Sequence, residues 1–331
     1  MSTSLTVHGL GIDATRIRTM YYYMVLSRAI DDRAWILARQ GVAPFVITGH
    51  GQEGGQAGVA AALDPAVDWI TPYYRDMVIV LMWGVSPREV MLGTLARAAD
   101  PASGGRQMPN HWGSRRRRIL SGSSPVTTQV THAAGLAWAL KLQHRPGVVA
   151  TFLGDGSTNQ GEFHEALNWA SVFRLPLLVV VENNGWAISV PQSKSMAVED
   201  IAVRAAGYGI PGVVVQGIDP LGVYQATAEA RRRALAGEGP TLIEIKTHRL
   251  TAHSSDDDDR VYKSAALREQ EKAADPIPRF REWMEGQGLW DGQQEEELRR
   301  RVQAEVDDAT SYALAAAQPD PATLYDHVYA D

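Results

Sequence analysis

Two short, almost wholly apolar runs constrain this chain most, because each stops abruptly at glycine and small polar side chains. Val148 to Leu153 ends in Gly154-Asp155-Gly156-Ser157, and Leu177 to Val181 ends in Glu182-Asn183-Asn184-Gly185. Each run has the length of a strand. Neither shows the polar–apolar alternation of a strand with one wet face, so both faces must be covered. Glu162 to Phe173, between them, reads as a helix. Val213 to Val215 and Thr241 to Lys246 read as further strands, separated by a helix that Asp219-Pro220 starts and that runs to about Leu235. This alternation defines the α/β class, with a doubly wound, mostly parallel sheet flanked by helices.

The remaining segments fill in around that sheet. Thr15 to Gln40 reads as a helix with Tyr23, Leu26, Ile30, Ala34 and Leu37 on one face, and Gly41 ends it. The glycine-rich stretch His50 to Gly55 reads as too flexible for a regular element and suited to close backbone approach. Ser86-Pro87-Arg88-Glu89 has the Ser cap, first-turn Pro and following Glu of a helix start. Asp100 to Ser124 reads as loop. From Asp291 onward, Leu298, Val302, Val306, Ala309 and Ala313 form the stripe of a charged amphipathic helix. The expected organisation is one domain over 1–331, with an N-terminal helical extension over about 1–45 and a C-terminal helical tail over about 275–331.

Several function classes fall away. The 331 residues include no cysteine, which excludes disulfides, thiolate metal sites and a cysteine nucleophile. The net charge of −6 argues against nucleic acid, and Arg115 to Arg118 reads as a solvated loop or a subunit contact. No apolar run reaches the roughly 20 residues that span a bilayer. Met1 to Asp13 lacks the basic start and apolar run of an export signal. The expectation is a cytoplasmic protein that binds no membrane.

The chemistry lies at the strand ends, where open parallel sheets bind ligands. Asp155 offers a carboxylate and Asn184 an amide oxygen, both hard ligands. Mg²⁺ takes few such protein ligands and completes its shell with phosphates and water. Gly154 and Gly156 turn the backbone sharply and expose N–H groups at a helix start, where phosphate is attracted. A metal–diphosphate site is therefore predicted. The third glycine and ribose-binding acid of a dinucleotide site are missing. A nucleotide-diphosphate module without catalysis is the rival from another class.

Gly154-Asp155-Gly156 followed by Asn183-Asn184 resembles the thiamine-diphosphate fingerprint. Gly105 to Pro109, Ser123-Ser124-Pro125, Asn183 to Ser189 and His253 to Asp257 resemble segments of branched-chain 2-oxo acid dehydrogenase alpha subunits, within a similarity running from about Thr15 to Val328. The resemblance implies a thiamine-diphosphate-binding fold that holds the diphosphate side of the cofactor. It implies Mg²⁺ on Asp155, Asn184 and the Trp186 carbonyl. It places Gly154, Gly156 and Ser157 on the diphosphate, Tyr74 and Arg75 as its grip, Ser124 on the cofactor and Val126 at the substrate end. His253 matches the catalytic histidine that borders the reactive end and helps acyl transfer to lipoamide; His132 and His248 rank below it. Ser123, Pro125, Thr128 and Gln129 match a structural K⁺ site of some relatives. Glu53 matches an acidic position near the active-site entrance. Ser254 matches a regulatory phosphoserine of mitochondrial relatives, although no such regulation is predicted here.

Glu182 departs from the pattern. Branched-chain relatives can carry an arginine there that contacts the diphosphate, so Glu182 removes one phosphate contact and keeps pyruvate or acetoin open as alternative substrates. The implied activity is oxidative decarboxylation of branched-chain 2-oxo acids with acyl transfer to a lipoyl group. The chain would be the alpha subunit of a two-alpha, two-beta heterotetramer docked on a lipoyl acyltransferase core. The beta subunit would supply the glutamate that activates the cofactor, leaving the lone alpha chain inactive.

Overall fold

Five parallel strands form the sheet in a computed structural model of the chain: β1 (Trp69–Thr71), β2 (Val149–Gly154), β3 (Leu177–Asn183), β4 (Gly212–Gln216) and β5 (Thr241–Lys246), in the order β1-β2-β3-β5-β4. The structure describes residues 11–326, 328 and 329. Most of the stretch read for an export signal, the first ten residues of the N-terminal extension and three positions of the C-terminal tail lie outside the described residues. Gly154 pairs with Glu182 and Asn183 with Lys246, so β2 and β3 finish side by side.

Alternate side chains of the central strands β2 and β3 enter different cores, as a doubly wound sheet requires, while the edge strand β4 is half-exposed. Ala150, Phe152, Leu178 and Val180 face the larger core. It is completed by α1 (Ala14–Arg39), α2 (Glu53–Ala62), α3 (Met77–Met82) and α4 (Pro87–Thr94). Val149, Leu153, Val179 and Val181 face the other core, covered by α5 (Thr128–Leu142) and α6 (Gly161–Val172). Helix α7 (Pro220–Leu235) joins the larger core through Leu221, Val223 and Ala230. After α8 (Ala265–Ala273), helices α9 (Pro276–Gly286) and α10 (Gly292–Ala315) do the same, and all five residues of the α10 stripe are buried. The anticipated caps form. Ser86 Oγ accepts from Glu89 N at 3.3 Å while Ser86 N donates to Glu89 Oε2 at 2.8 Å, and Asp219 accepts from the amides of Leu221 and Gly222.

One expectation is overturned. The glycine-rich stretch is not irregular throughout, because α2 begins at Glu53 and contains Gly54, Gly55 and Gly58. These glycines serve close packing rather than flexibility. A Cβ on Gly54 would come within 2.3 Å of the Gly217 carbonyl oxygen, one on Gly55 within 2.8 Å of Ile245 Cγ2, and one on Gly58 within 2.5 Å of the Pro220 carbonyl oxygen. The helix thus lies nearly backbone-to-backbone on the start of α7 and the end of β5. Gly54→Ala should therefore cost about 1–3 kcal/mol by overpacking, lowering the urea midpoint. Gly161→Ala, where a Cβ meets nothing within 4 Å, should change stability by less than about 0.5 kcal/mol.

Candidate active site

A cavity of about 410 Å³ sits at the carboxyl ends of β2 and β3, with Gly154, Asp155, Gly156, Ser157, Asn184 and Trp186 in its wall. Asp155 directly follows β2. It is buried, and neither carboxylate oxygen has a hydrogen-bond partner. Burial pushes its pKa up to about 6; the backbone amides of Asp155 and Asn184, close by without forming bonds of good geometry, and the charges of Arg249 and Arg75 pull the other way. A buried carboxylate left unpaired is costly unless a cation meets it.

Asn183, the last residue of β3, and Asn184, just beyond it, have separate work. Asn183 is fully committed: its Nδ2 donates to Gln192 Oε1 at 2.9 Å and Glu244 Oε1 at 2.7 Å, and its Oδ1 accepts from Gly185 N at 2.9 Å. Asn184 lines the cavity, and its Oδ1 takes one bond, from Trp186 N at 3.1 Å, which leaves a lone pair for a ligand. Gly185, at φ +79°, makes the turn between them. Gly156 is required by contact: a Cβ there would lie 2.6 Å from the Ala187 Cβ, so the loops after β2 and β3 touch at this glycine. Together these groups fit a divalent cation carrying an anionic ligand.

The other side of the cavity belongs to Tyr74, Arg75 and His253. The buried Arg75 guanidinium donates to Thr48 O at 2.6 Å and, through Nη2, to His253 O and Nδ1 at 3.0 Å each. It also lies 5.3 Å from the centre of the Tyr74 ring. A guanidinium only donates, so His253 Nδ1 accepts and the ring proton sits on Nε2. His253 N donates to Asp257 Oδ2 at 2.7 Å. Burial, then repulsion from Arg75 and Arg249, lowers the imidazole to about 4, with Asp257 opposing. His253 is neutral at pH 7.

Ser124 and Val126 also line the cavity. Ser124 Oγ lies 2.7 Å from His111 Nε2, and His111 Nδ1 faces the carbonyls of Met108 and Pro109 at 3.1 and 3.0 Å. Those carbonyls require the proton on Nδ1, so Ser124 is the donor to Nε2. Nothing in the sequence singles out His111, although it stands just past the Gly105–Pro109 segment. Phe45, Ile47, Met108 and Ile188 add an apolar wall; Met108 and Ile188 lie in segments that carry the resemblance, whereas Phe45 and Ile47 are silent in the sequence. Ile188 is held at φ +57°, unusual for a β-branched residue, with its carbonyl accepting from Arg249 Nη2 at 2.8 Å.

Other candidates lie elsewhere. Ser123, Pro125, Thr128 and Gln129 occupy the loop and first turn of α5, outside the cavity lining. Gln129 Nε2 donates to Phe152 O at 2.9 Å, and its Oε1 is buried without a partner. His132 is exposed on α5 and His248 half-buried; neither reaches the cavity. Glu53 is not at an entrance: it is fully buried, 2.6 Å from Arg28 Nε, and accepts from Gly51 N. Its place on the first turn of α2 turns it toward α1. Glu182 does not face the diphosphate position either. It is buried under the cavity floor, where Oε2 accepts from Gln56 Nε2 at 3.0 Å and from the Tyr73 hydroxyl at 3.4 Å. Burial raises Glu182 to about 7 and pushes neighbouring Asp76 well above the carboxylate range.

Parallel strands ending on an unpaired carboxylate, with an arginine and a neutral histidine opposite, give a cavity whose groups suit a cation and an anion together. The chain belongs to the dehydrogenase E1 component family, whose family model matches residues 21–322. It is 48% identical over 321 residues to the 2-oxoisovalerate dehydrogenase subunit alpha of Bacillus subtilis (strain 168), an alignment covering 97% of each chain. It is 39% identical over 318 residues to the 3-methyl-2-oxobutanoate dehydrogenase subunit alpha of Mycobacterium tuberculosis (strain ATCC 25618 / H37Rv), covering 95% of this chain and 83% of that one. Identity to the mitochondrial 2-oxoisovalerate dehydrogenase subunit alpha of Bos taurus is 36% over 315 residues, covering 95% and 69%. Membership in the family implies dependence on thiamine diphosphate and a beta-subunit partner. Among the described residues no helix is long and apolar enough to cross a membrane.

The buried Asp155 charge has a measurable consequence. Its folded pKa of about 6 lies above the unfolded value, so the folded state binds the proton more tightly. Wild-type stability should fall as pH rises through that interval. In protein prepared without metal and cofactor, Asp155→Asn should be more stable than wild type at pH 8, by up to about 3 kcal/mol for a two-unit shift. The difference should vanish below about pH 4. Thermal melts across pH check this; a variant less stable at pH 8 would refute it.

Proposed function

We propose that this chain is the alpha subunit of a branched-chain 2-oxo acid dehydrogenase, which oxidatively decarboxylates substrates such as 3-methyl-2-oxobutanoate and passes the acyl group to a lipoyl domain. The observation that carries this reading is the partnerless, buried Asp155 carboxylate beside Asn184 in one cavity, in a chain that aligns end to end with a 2-oxoisovalerate dehydrogenase alpha subunit. When bound, thiamine diphosphate supplies the electron sink for decarboxylation.

The chain's own residues anchor and orient. Asp155, the Asn184 amide oxygen and the Trp186 carbonyl hold Mg²⁺. Backbone N–H groups of Gly154, Gly156 and Ser157 take the diphosphate with Tyr74 and Arg75, and Ser124 meets the cofactor. Val126, with Phe45, Ile47 and Met108, accommodates an aliphatic side chain by excluding water from it. His253, neutral with its proton on Nε2, would offer a proton to the sulfur released when the lipoyl disulfide, the oxidant of the transfer, opens to take the acyl group on its other sulfur. Gln129, with its buried free Oε1, joins Ser123, Pro125 and Thr128 in a K⁺ site that stiffens the loop before α5. The whole chain is one thiamine-diphosphate-binding domain, its terminal helices included. The active assembly is a two-alpha, two-beta heterotetramer on a lipoyl acyltransferase core, and the lone chain is inactive.

The test is turnover of the chain co-purified with its beta subunit. Each methylene buried in an apolar pocket is worth about 10–200-fold, so 3-methyl-2-oxobutanoate should exceed pyruvate in kcat/KM by at least about tenfold. Equal rates would point to the pyruvate reading, and decarboxylation by the alpha chain alone would contradict the partner requirement. His253→Ala should retain decarboxylation with an artificial electron acceptor while losing acyl transfer to a lipoyl domain.

A further inference from the structure

The glycine-rich stretch ends in a helix whose use is not explained by the cofactor contacts alone. Its residue Gln56 is fully buried and joins three segments. Its Nε2 donates to the Arg75 carbonyl at 2.9 Å and to Glu182 Oε2 at 3.0 Å, and its Oε1 accepts from Val78 N at 3.2 Å. Arg75 and Val78 flank the start of α3, and Glu182 lies two residues before Asn184 on β3. Only a side-chain amide can satisfy this set. A carboxylate has no proton for the carbonyl or for Glu182, and an ammonium or guanidinium cannot accept from the Val78 amide. The glycines of α2 seat the helix against Gly217, Ile245 and Pro220 with no room to slide, so the amide is presented from a fixed support.

We infer that Gln56 is a positioning residue: it pins the Arg75 backbone against the end of β3, and through the Arg75 side chain it places His253. The separation between the arginine on one wall and the Asn184 end on the other is thereby set by one amide. This rests on the reading that the cavity holds a diphosphate between those two walls. A ligand gripped from both sides is sensitive to displacements of about 1 Å in its clamps. A slack Arg75 would weaken anion binding and also release the imidazole that its guanidinium holds.

The experiment uses the alpha–beta complex and measures the thiamine diphosphate dissociation constant in the presence of Mg²⁺, beside the melting temperature. Gln56→Met keeps the volume and removes the three bonds; Gln56→Asn keeps the amide on a shorter stem. The Met variant should weaken cofactor binding by about tenfold, the scale of one or two lost hydrogen bonds, with Asn between Met and wild type. In an Arg75→Lys background Gln56→Met should cost less than about twofold more, because coupled residues are non-additive. Amide hydrogen exchange over residues 73–80, measured without cofactor, should quicken in Gln56→Met. Should the Met variant fail to fold, the graded loss in the Asn variant and its non-additivity with Arg75→Lys carry the decision. A lowered melting temperature with unchanged cofactor affinity would show a merely structural role and overturn the inference, as would full additivity with Arg75→Lys. A wild-type complex that binds no thiamine diphosphate would instead bring down the functional reading and this inference with it.

Discussion

The register between β2 and β3 is the constraint from which the site follows. With Gly154 opposite Glu182, the residues just beyond both strand ends, Asp155 and Asn184, emerge on the same edge of the sheet into one cavity. A slip of one residue would exchange the two faces of a strand, sending Phe152 or Val180 to the wrong core. Burial on both faces therefore locks Asp155 and Asn184 in place. Hydrophobic packing, which has no interest in metal or phosphate, supplies the positional accuracy that the chemistry requires.

That accuracy carries a stability cost concentrated at the cavity. Asp155 has no partner for either oxygen, Arg249 keeps Nε and Nη1 unpaired in the interior, and His253 is half-buried near Arg75 and Arg249. Each is unfavourable in isolation. They are tolerated because two cores flank the sheet and because neighbouring groups are over-determined, as with Asn183 and its three bonds. Perturbed titratable groups gathered in one cleft, with satisfied groups around them, mark the cavity as the candidate functional site.

Much of this was legible in the sequence, and the failures share a cause. The strand ends, the Ser86 and Asp219 caps and the α10 stripe rest on local rules that tertiary structure had no reason to override. Helix α2 was hidden because glycine is penalised by helix propensity, and only the surfaces that press on Gly54 and Gly58 reveal why it is used. Helix α5 was hidden because Trp138 and Leu142 are apolar yet exposed, which erases the periodic stripe. Glu182 was legible as a departure but not as a direction. Alternation along a strand does not say which core a polar side chain enters, and here it goes under the floor to Gln56 and Tyr73. His111 had no local signal, since its role is set by carbonyls and a serine brought to it by the folded loop.

Arg75 links the electrostatics of the two walls. Its charge helps hold Asp155 down and helps hold His253 neutral, so one guanidinium biases a carboxylate toward the charged state and an imidazole toward the uncharged state. An anion entering the cavity would offset part of that charge, relaxing the pressure on His253 and easing its protonation as the site fills. A divalent cation on Asp155 acts in the opposite sense. The protonation state of His253 is thus tied to the balance of charge that enters the cavity. The same hydrogen bonds that fix Arg75 in space also fix this coupling, because a Coulomb interaction in a dry cavity depends steeply on distance.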